Sequence, residues 1–194
     1  MTYDEGVLSE VALVEIEATG GTAYQFASII EEVTPTQGDK DGESIALVNG
    51  GRLWKRTPET DYEITLKIYP LSTDQAGSND LSQGFQNVDA SWDGTAPYDD
   101  VNSRNREQYR VVILWTDDTA ASTASGTTVA GNLARRIYFN QAYMTSYKES
   151  FDDKTVSAEV TFKGPAFNKA GTGNIHRESV KNGGGAGLSA LATY

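Results

Sequence analysis

The chain has 194 residues, no cysteine and a single histidine, His176. These counts exclude disulfides, thiolate metal sites and zinc sites built on several imidazoles, and any Ser-His-Asp site would depend on that one histidine. Lysine and arginine number 16 against 27 aspartate and glutamate, so the net charge of −11 disfavours binding to bulk DNA or to an anionic membrane.

Two β-hairpins are predicted in the first third of the chain. Their four strands are expected at 11–19, 22–33, 44–48 and 52–56. Gly20-Gly21 separates the first pair and Asn49-Gly50-Gly51 the second, and glycine tolerates the positive φ that tight hairpin turns require.

The clearest strands alternate apolar and polar residues over 62–69 and 155–162, which indicates one buried face each. The polar positions are Glu63, Thr65 and Lys67 in the first strand and Ser157, Glu159 and Thr161 in the second. Longer β segments are expected at 109–115 and 135–147, and a short helix near 80–85. About eight strands, mostly in sequence-adjacent antiparallel pairs, predict a mainly β fold, an antiparallel β-sandwich or barrel with one short helix.

One domain is expected over 11–163, with loops at 34–57 and 117–131 and a short N-terminal arm at 1–10. The loop at 117–131 is rich in small residues and predicts a flexible hairpin tip. The segment 164–194 begins Gly-Pro, contains three consecutive glycines and lacks periodicity, so it predicts an arm that is disordered or ordered only by a neighbour. Without a signal-peptide pattern or a long apolar run, the sequence predicts a soluble protein made in the cytoplasm.

Motifs for chemistry are weak, so we expect no enzyme activity and no cofactor. Asp39, Asp41 and Glu43 resemble the start of a calcium loop, but a strand follows where an EF-hand needs a helix, and a polar turn is the favoured interpretation. Trp54 and Trp92 can stack on sugars, yet burial in an interface explains exposed tryptophan equally well. The glycine-rich stretches lack the Gly-Lys-Ser/Thr of a phosphate loop.

Small arginine clusters at Arg104-x-Arg106 and Arg135-Arg136 are too narrow for a nucleic-acid surface and favour ion pairs between subunits. The residues expected at such interfaces are Trp54, Arg56, Trp92, Arg135, Arg136, His176 and Arg177.

Two segments, 61–69 and 155–164, resemble strands of the major tail tube proteins of long-tailed, siphovirus-like viruses. The run Ser-Ala-Glu-Val-Thr-Phe-Lys-Gly, ending at Gly164, carries most of the resemblance, which extends as a pattern over 11–164. It implies a structural virion protein whose β-sandwich subunits form a ring, hexameric in the family, with inner strands joined into one continuous β-barrel. Rings would stack into a tail tube through a long loop and the terminal arms, and the viral genome would pass along the lumen during ejection.

The resemblance also implies partners: further copies of the chain, the tape measure, terminator and baseplate proteins, and double-stranded DNA that passes without specific binding. The alternating polar positions Glu63, Thr65, Lys67, Ser157, Glu159 and Thr161 are the candidates for the lumen. Lys67 and Lys163 lie on the same faces and argue against a purely negative lumen. The acid surplus suggests a virus of a halophilic archaeon. The alternatives are a tail terminator, a related injection or secretion tube, and a carbohydrate-binding β-sandwich module.

Overall fold

A computed structural model describes residues 11–19, 23–25, 30–56, 58–69, 108–152, 155–180 and 185–194. These residues form ten strands: β1 Val11–Ala18, β2 Ala23–Gln25, β3 Ile30–Thr36, β4 Gly42–Ala46, β5 Arg52–Arg56, β6 Tyr62–Ile68, β7 Tyr109–Thr116, β8 Ala134–Asp152, β9 Thr155–Gly164 and β10 Ile175–Val180. The described part of the chain contains no helix, and so none that could cross a membrane. The helix predicted at 80–85 lies outside the described residues.

Eight strands form one antiparallel sheet that curls on itself, which confirms the expected mainly β, antiparallel class. The curl is possible because the long strand β8 serves both halves. Its residues 134–142 pair with β7, while residues 143–152 pair with β9. Near the junction of these stretches Gln141 has a positive φ of 57°, and the ladder with β9 shifts register between Met144 and Ser146. Such irregularities bend a strand and increase its twist.

The two halves are named here by their strands. The first half-sheet contains β2, β1, β7, the start of β8, and β10 on the other edge of β8. The second half-sheet contains the end of β8, then β9, β6 and β3 in that order. Among the described strands, only four of the eight ladders join strands that are consecutive in the sequence, whereas such pairs were expected to dominate. The other four ladders are β1–β7, β3–β6, β6–β9 and β8–β10.

The main core lies between the inner faces of the half-sheets. The predicted alternation of β6 is confirmed, because Tyr62, Ile64, Leu66 and Ile68 are fully buried and the residues between them are half-exposed. Val111 and Ile113 of β7 and Val160 and Phe162 of β9 complete the cluster. Each such side chain contributes about 1.5–3 kcal/mol of hydrophobic stabilisation, so this core dominates the stability of the sandwich.

Gly164, the glycine that ends the family-like run, is required by packing against Tyr62. The Tyr62 hydroxyl donates to the Asn140 carbonyl over 2.7 Å, and burial raises its pKa. A Cβ on Gly164 would lie 2.3 Å from that hydroxyl oxygen. A side chain at 164 would therefore displace a buried tyrosine.

A second core covers the outer face of the first half-sheet. Leu13, Val112 and Leu114 pack there against Ala124 and Leu188, which come from outside the sheet. Ala124 belongs to the loop after β7, and Leu188 to the C-terminal segment 185–194, which is called the strap below. Strand β7 is therefore buried on both faces, which accounts for its almost unbroken apolar sequence.

The loop 117–131 and the C-terminal region differ from their expectation as a flexible tip and a tail ordered only by neighbours. Both are bonded to their own subunit. The Asp118 carboxylate accepts from the Ala120 and Val129 amides over 3.0 and 2.8 Å. Thr128 exchanges backbone and side-chain hydrogen bonds with Leu188. Residues 175–180 form β10 along β8, a strand that their irregular polarity did not predict.

Candidate assembly surfaces

The six lumen candidates, Glu63, Thr65, Lys67, Ser157, Glu159 and Thr161, lie on the outer face of the second half-sheet, because they occupy the positions of β6 and β9 that alternate with the core residues. Thr65 lies directly opposite Thr161 in the ladder, and Lys67 opposite Glu159. Strand β8 adds Ser146 and Lys148 to an open depression lined only by polar side chains.

Each lysine on this polar face has a glutamate partner. Lys163 contacts Glu63 at 2.6 Å, Lys148 contacts Glu159 at 3.8 Å, and Lys67 contacts Glu31 at 2.5 Å. The hydrogen bond from Lys67 is the main cause that lowers the pKa of Glu31, with a second bond from Tyr69. With the exposed Glu32 opposite Lys67 as one further acid, the face carries only a small negative excess, although the whole chain carries −11.

Both edges of the second half-sheet are open among the described residues. Strand β3 ends the strand order, with β6 as its one partner. On the opposite edge, residues 143–152 of β8 pair with β9 and with no other described strand. Unpaired edges expose rows of N–H and C=O groups that can bond to another chain.

The β4–β5 hairpin forms a separate two-stranded sheet whose residues are all exposed. One face carries Arg52, Trp54 and Arg56 over the small residues of β4; the other carries Ile45 opposite Leu53. Trp54 is 66% exposed and Leu53 56%. An isolated hairpin is only marginally stable in water, so an apolar one is expected to pack against another molecule.

The base of this hairpin is held by a polar network. Glu59 accepts from the Gln37 side chain over 2.6 Å and contacts Lys40 at 2.9 Å. The Gln37 bond is the largest of the effects that lower the pKa of Glu59, followed by the bond to Lys40 and by the charges of Lys40 and Arg177. The Thr60 amide donates to the Asp39 carbonyl over 3.1 Å, which closes the two arms of the hairpin against each other. The hairpin therefore leaves the sandwich in a fixed direction.

The other predicted interface residues separate into two groups. Arg135 and Arg177 are exposed at one open end of the sandwich, beside Trp115. Arg136 is buried, where it bonds to Glu178 and to the carbonyls of Ser125, Gly126 and Ser189. The His176 ring stacks on Tyr138 with centroids 4.6 Å apart. Trp92 lies outside the described residues.

The calcium candidates lie at the base and start of the exposed hairpin. Asp39 bonds through its backbone to Thr60, and Glu43 lies opposite Lys55 in the β4–β5 ladder. Among the described residues, no three acidic or histidine side chains, including Asp39, Asp41 and Glu43, form a group suited to a metal ion.

Sequence reasoning missed several members of the polar face, among them Glu31, Ser146 and Lys148. The last two lie around and beyond the predicted end of β8, where the sequence Lys-Glu-Ser-Phe-Asp lacks a clean alternation. The length of the segment 155–164 could have indicated that β8 continues this far, because a strand of ten residues requires a partner of similar length.

No family model and no curated protein matches this chain. Solved structures do match, and they establish the fold. A chain of the extracellular contractile injection system "PVC sheath-tube complex in extended state" has a TM-score of 0.55 and 12% identity, covering 92% of this chain and 95% of its own. A chain of the "PVC sheath/tube terminator" has a TM-score of 0.55 and 12% identity, and the match covers 91% of this chain and 99% of that one. A chain of the anti-feeding prophage cap, a "tube terminating cap", has a TM-score of 0.55 and 11% identity, and the match covers 93% of this chain and 95% of that one.

Proposed function

We propose that this chain is a tube subunit: copies join through their second half-sheets into a ring with a polar channel, and rings stack into a tail tube. The observation that carries the proposal is a four-stranded half-sheet with a wholly polar outer face and two open edges. A closed ring would satisfy both edges at once, and closure removes the hazard of uncontrolled strand pairing.

The strand directions are compatible with such a ring. Neighbours within the half-sheet are all antiparallel, so β3 runs opposite to β8. Rotation about a channel axis preserves strand direction, and β3 of one copy would therefore meet β8 of the next in antiparallel pairing. Six copies, the number that the tail tube resemblance implies, would give a continuous antiparallel barrel.

Stacking is assigned to the β4–β5 hairpin. Its apolar face, formed by Ile45 and Leu53, has no cover among the described residues, and its polar base holds it away from the sandwich. A hairpin that leaves one ring and packs on the next makes a head-to-tail contact, and such contacts build open filaments.

The cargo we propose is the double-stranded genome of a virus. A face on which every lysine has a glutamate partner offers few unmatched cations for phosphate, so DNA can pass without being held. A virion tail of long-tailed type and a halophilic host, suggested by the charge of −11, are parts of the same proposal.

A terminating ring of a tail or injection device is the second candidate. It is favoured by two of the matching structures, one of a sheath/tube terminator and one of a tube terminating cap. Such a protein would form a single ring that does not extend.

Negative-stain microscopy of the purified full chain, over a series of protein and salt concentrations, tests these proposals. We expect rings and stacked tubes of constant width. Single rings at every concentration would support the terminator instead. A monomer in sedimentation velocity under all conditions would contradict both.

A further inference from the structure

The open end of the sandwich that holds Arg135 contains a cavity of about 380 Å³, called the socket here. Its floor is formed by the core residues Ile137 and Phe139, its sides by Pro35 and Trp115, and its rim by Arg135 and Arg177. An engineered protein cavity of about 150 Å³ accepts a benzene molecule, so the socket has room for an aromatic side chain.

The rim is cationic, and its nearest acidic influence among the described residues is Glu59, which bonds to Gln37 and whose pKa is lowered in part by the charge of Arg177. Arg135 lies opposite Trp115 on β7, and Arg177 lies opposite Ile137 on β8, so both guanidinium groups belong to the face that lines the socket. Arg177 donates to the Gln37 side chain, and no described carboxylate is within ion-pair distance of either arginine. The socket therefore suits an apolar group that carries a negative charge beside it.

The tip of the β8–β9 hairpin has this chemistry. Phe151 is 71% exposed, although phenylalanine is normally buried, and the exposed Asp152 follows it directly. The two residues lie opposite Val156 and Thr155, at the last pairs of the ladder, so they project from the far end of the hairpin.

The β4–β5 hairpin is a poorer occupant. Its most exposed large aromatic, Trp54, stands between Arg52 and Arg56 on one face. Those two arginines would approach Arg135 and Arg177, and like charges brought together across an interface are strongly unfavourable.

A subunit cannot fill its own socket with its own tip. Arg135 and Phe151 lie near opposite ends of the 19-residue strand β8, up to about 50 Å apart at roughly 3.3 Å per residue. We propose that Phe151 of one copy inserts into the socket of another copy, with Asp152 pairing with Arg135 and Arg177. This contact is head-to-tail, and it deepens the proposed tube, on which it rests, by naming one specific contact between subunits.

Site-specific cross-linking tests the contact directly, because the chain has no cysteine of its own. One batch carries Thr155→Cys, opposite Asp152 at the tip, and the other carries Ser179→Cys, opposite Arg135 beside the socket, the latter with a mass tag. Mixed batches are treated with a short bismaleimide. We expect a cross-linked hetero-pair at least tenfold more abundant than one formed between Thr155→Cys and Lys169→Cys, an exposed control outside the socket.

Charge reversal supplies a second measurement. We expect Arg135→Glu with Arg177→Glu to raise the protein concentration needed for assembly at least tenfold, and the addition of Asp152→Lys to restore it. Lys169→Glu should leave it unchanged. Rescue separates an ion pair from a structural defect, since a misfolded socket would not respond to a change at the opposite end of the molecule.

The outcomes distinguish this contact from the proposed function. Rings or tubes without the cross-link between positions 155 and 179, or without rescue by the charge reversal, would overturn the socket contact and leave the tube proposal standing. A specific cross-link in the absence of tubes would support the contact and count against the tube. Neither particles nor cross-link would contradict both.

Discussion

The two outer faces of the curled sheet are used in opposite ways. The outer face of the first half-sheet is closed by its own chain, through the strap and the loop that contains Ala124. The outer face of the second half-sheet is left open, with polar side chains and free edges among the described residues. One sheet therefore has a side that its own chain covers, the sealed face, and a side that the described residues leave uncovered, the open face.

The charges show the same division. On the sealed face Glu17 and Arg110 form a buried ion pair, with side chains only 5% and 8% exposed. Glu17 also accepts from the Tyr194 amide over 3.0 Å, and Arg110 donates to the Ala192 carbonyl over 2.7 Å. On the open face, the pair of Glu63 and Lys163 is 42% and 48% exposed. Burial, more than charge, decides how much such a pair contributes to stability.

Replacing Glu17 should have the largest effect. Glu17→Gln leaves the Arg110 guanidinium buried beside a neutral amide and weakens the bond to the strap. We expect a loss of about 3–5 kcal/mol in the free energy of unfolding, the usual cost of an unpaired buried charge. Urea denaturation of the unassembled chain measures it.

The matched change on the open face, Glu63→Gln, controls for the loss of a carboxylate. Equal losses from the two variants would contradict the division into a sealed and an open side.

Detaching the strap should have the next largest effect. Gly187 lies against the loop so closely that a Cβ there would be 1.7 Å from the Thr128 carbonyl oxygen. Gly187→Ala should therefore lift the strap and cost about 1–3 kcal/mol, typical of overpacking. The exposed neighbouring change Ala186→Ser is the control.

Limited proteolysis provides the measurement for the strap. We expect faster cleavage within residues 185–194 in Gly187→Ala than in the control. Unchanged cleavage would mean that the strap does not depend on its contact with Thr128.

Much of the open face could be predicted from the sequence, since period two in β6 and β9 assigns Glu63 and Glu159 to solvent. The alternation within each strand does not predict that the two strands share one face. β6 and β9 are far apart in the chain, and their pairing depends on the whole sheet. The alternation of apolar and polar residues determines which face of the strand a side chain occupies. Which residue lies opposite it in the neighbouring strand depends on the tertiary fold.

The sealed face was harder to predict for a physical reason. The strap has few apolar residues, of which Leu188 is the one that is buried. Its other attachments are mostly polar: backbone bonds to Thr128, Ser125 and the buried charges, and a bond from the Gln141 amide to the Tyr194 hydroxyl. The glycine-rich composition of the strap resembles that of a disordered tail. At position 187, however, glycine is required because the Thr128 backbone leaves no room for a Cβ. Composition does not distinguish flexibility from close approach.

Changing the hairpin should affect assembly while leaving the fold intact. Ile45→Ser with Leu53→Ser removes apolar surface that is 43% and 56% exposed, so the unfolding free energy should change by about 0.5 kcal/mol or less. Stacking should weaken at least tenfold, equivalent to about 1.4 kcal/mol. Tube length in micrographs measures stacking, and rings should persist.

Val129→Ser, the same kind of change at an exposed apolar residue outside the hairpin and the second half-sheet, is the control for the hairpin variant. Tubes of normal length in the double variant would exclude the apolar hairpin face as the stacking contact.

Neutralising the acids of the open face should have the smallest effect on assembly and tests the role of this face directly. Glu63→Gln with Glu159→Gln breaks two exposed ion pairs, each worth about 0–1 kcal/mol, so the subunit should remain folded. Lys163 and Lys148 then lose their partners, and a face that was nearly neutral becomes positive. Assembled particles should retain short double-stranded DNA at low salt and release it as salt rises, because phosphate binding by unmatched lysines depends on counterion release. The wild-type particles are the reference, measured by co-sedimentation with labelled DNA. If the variant retains no more DNA than the wild type, the polar face does not line the channel.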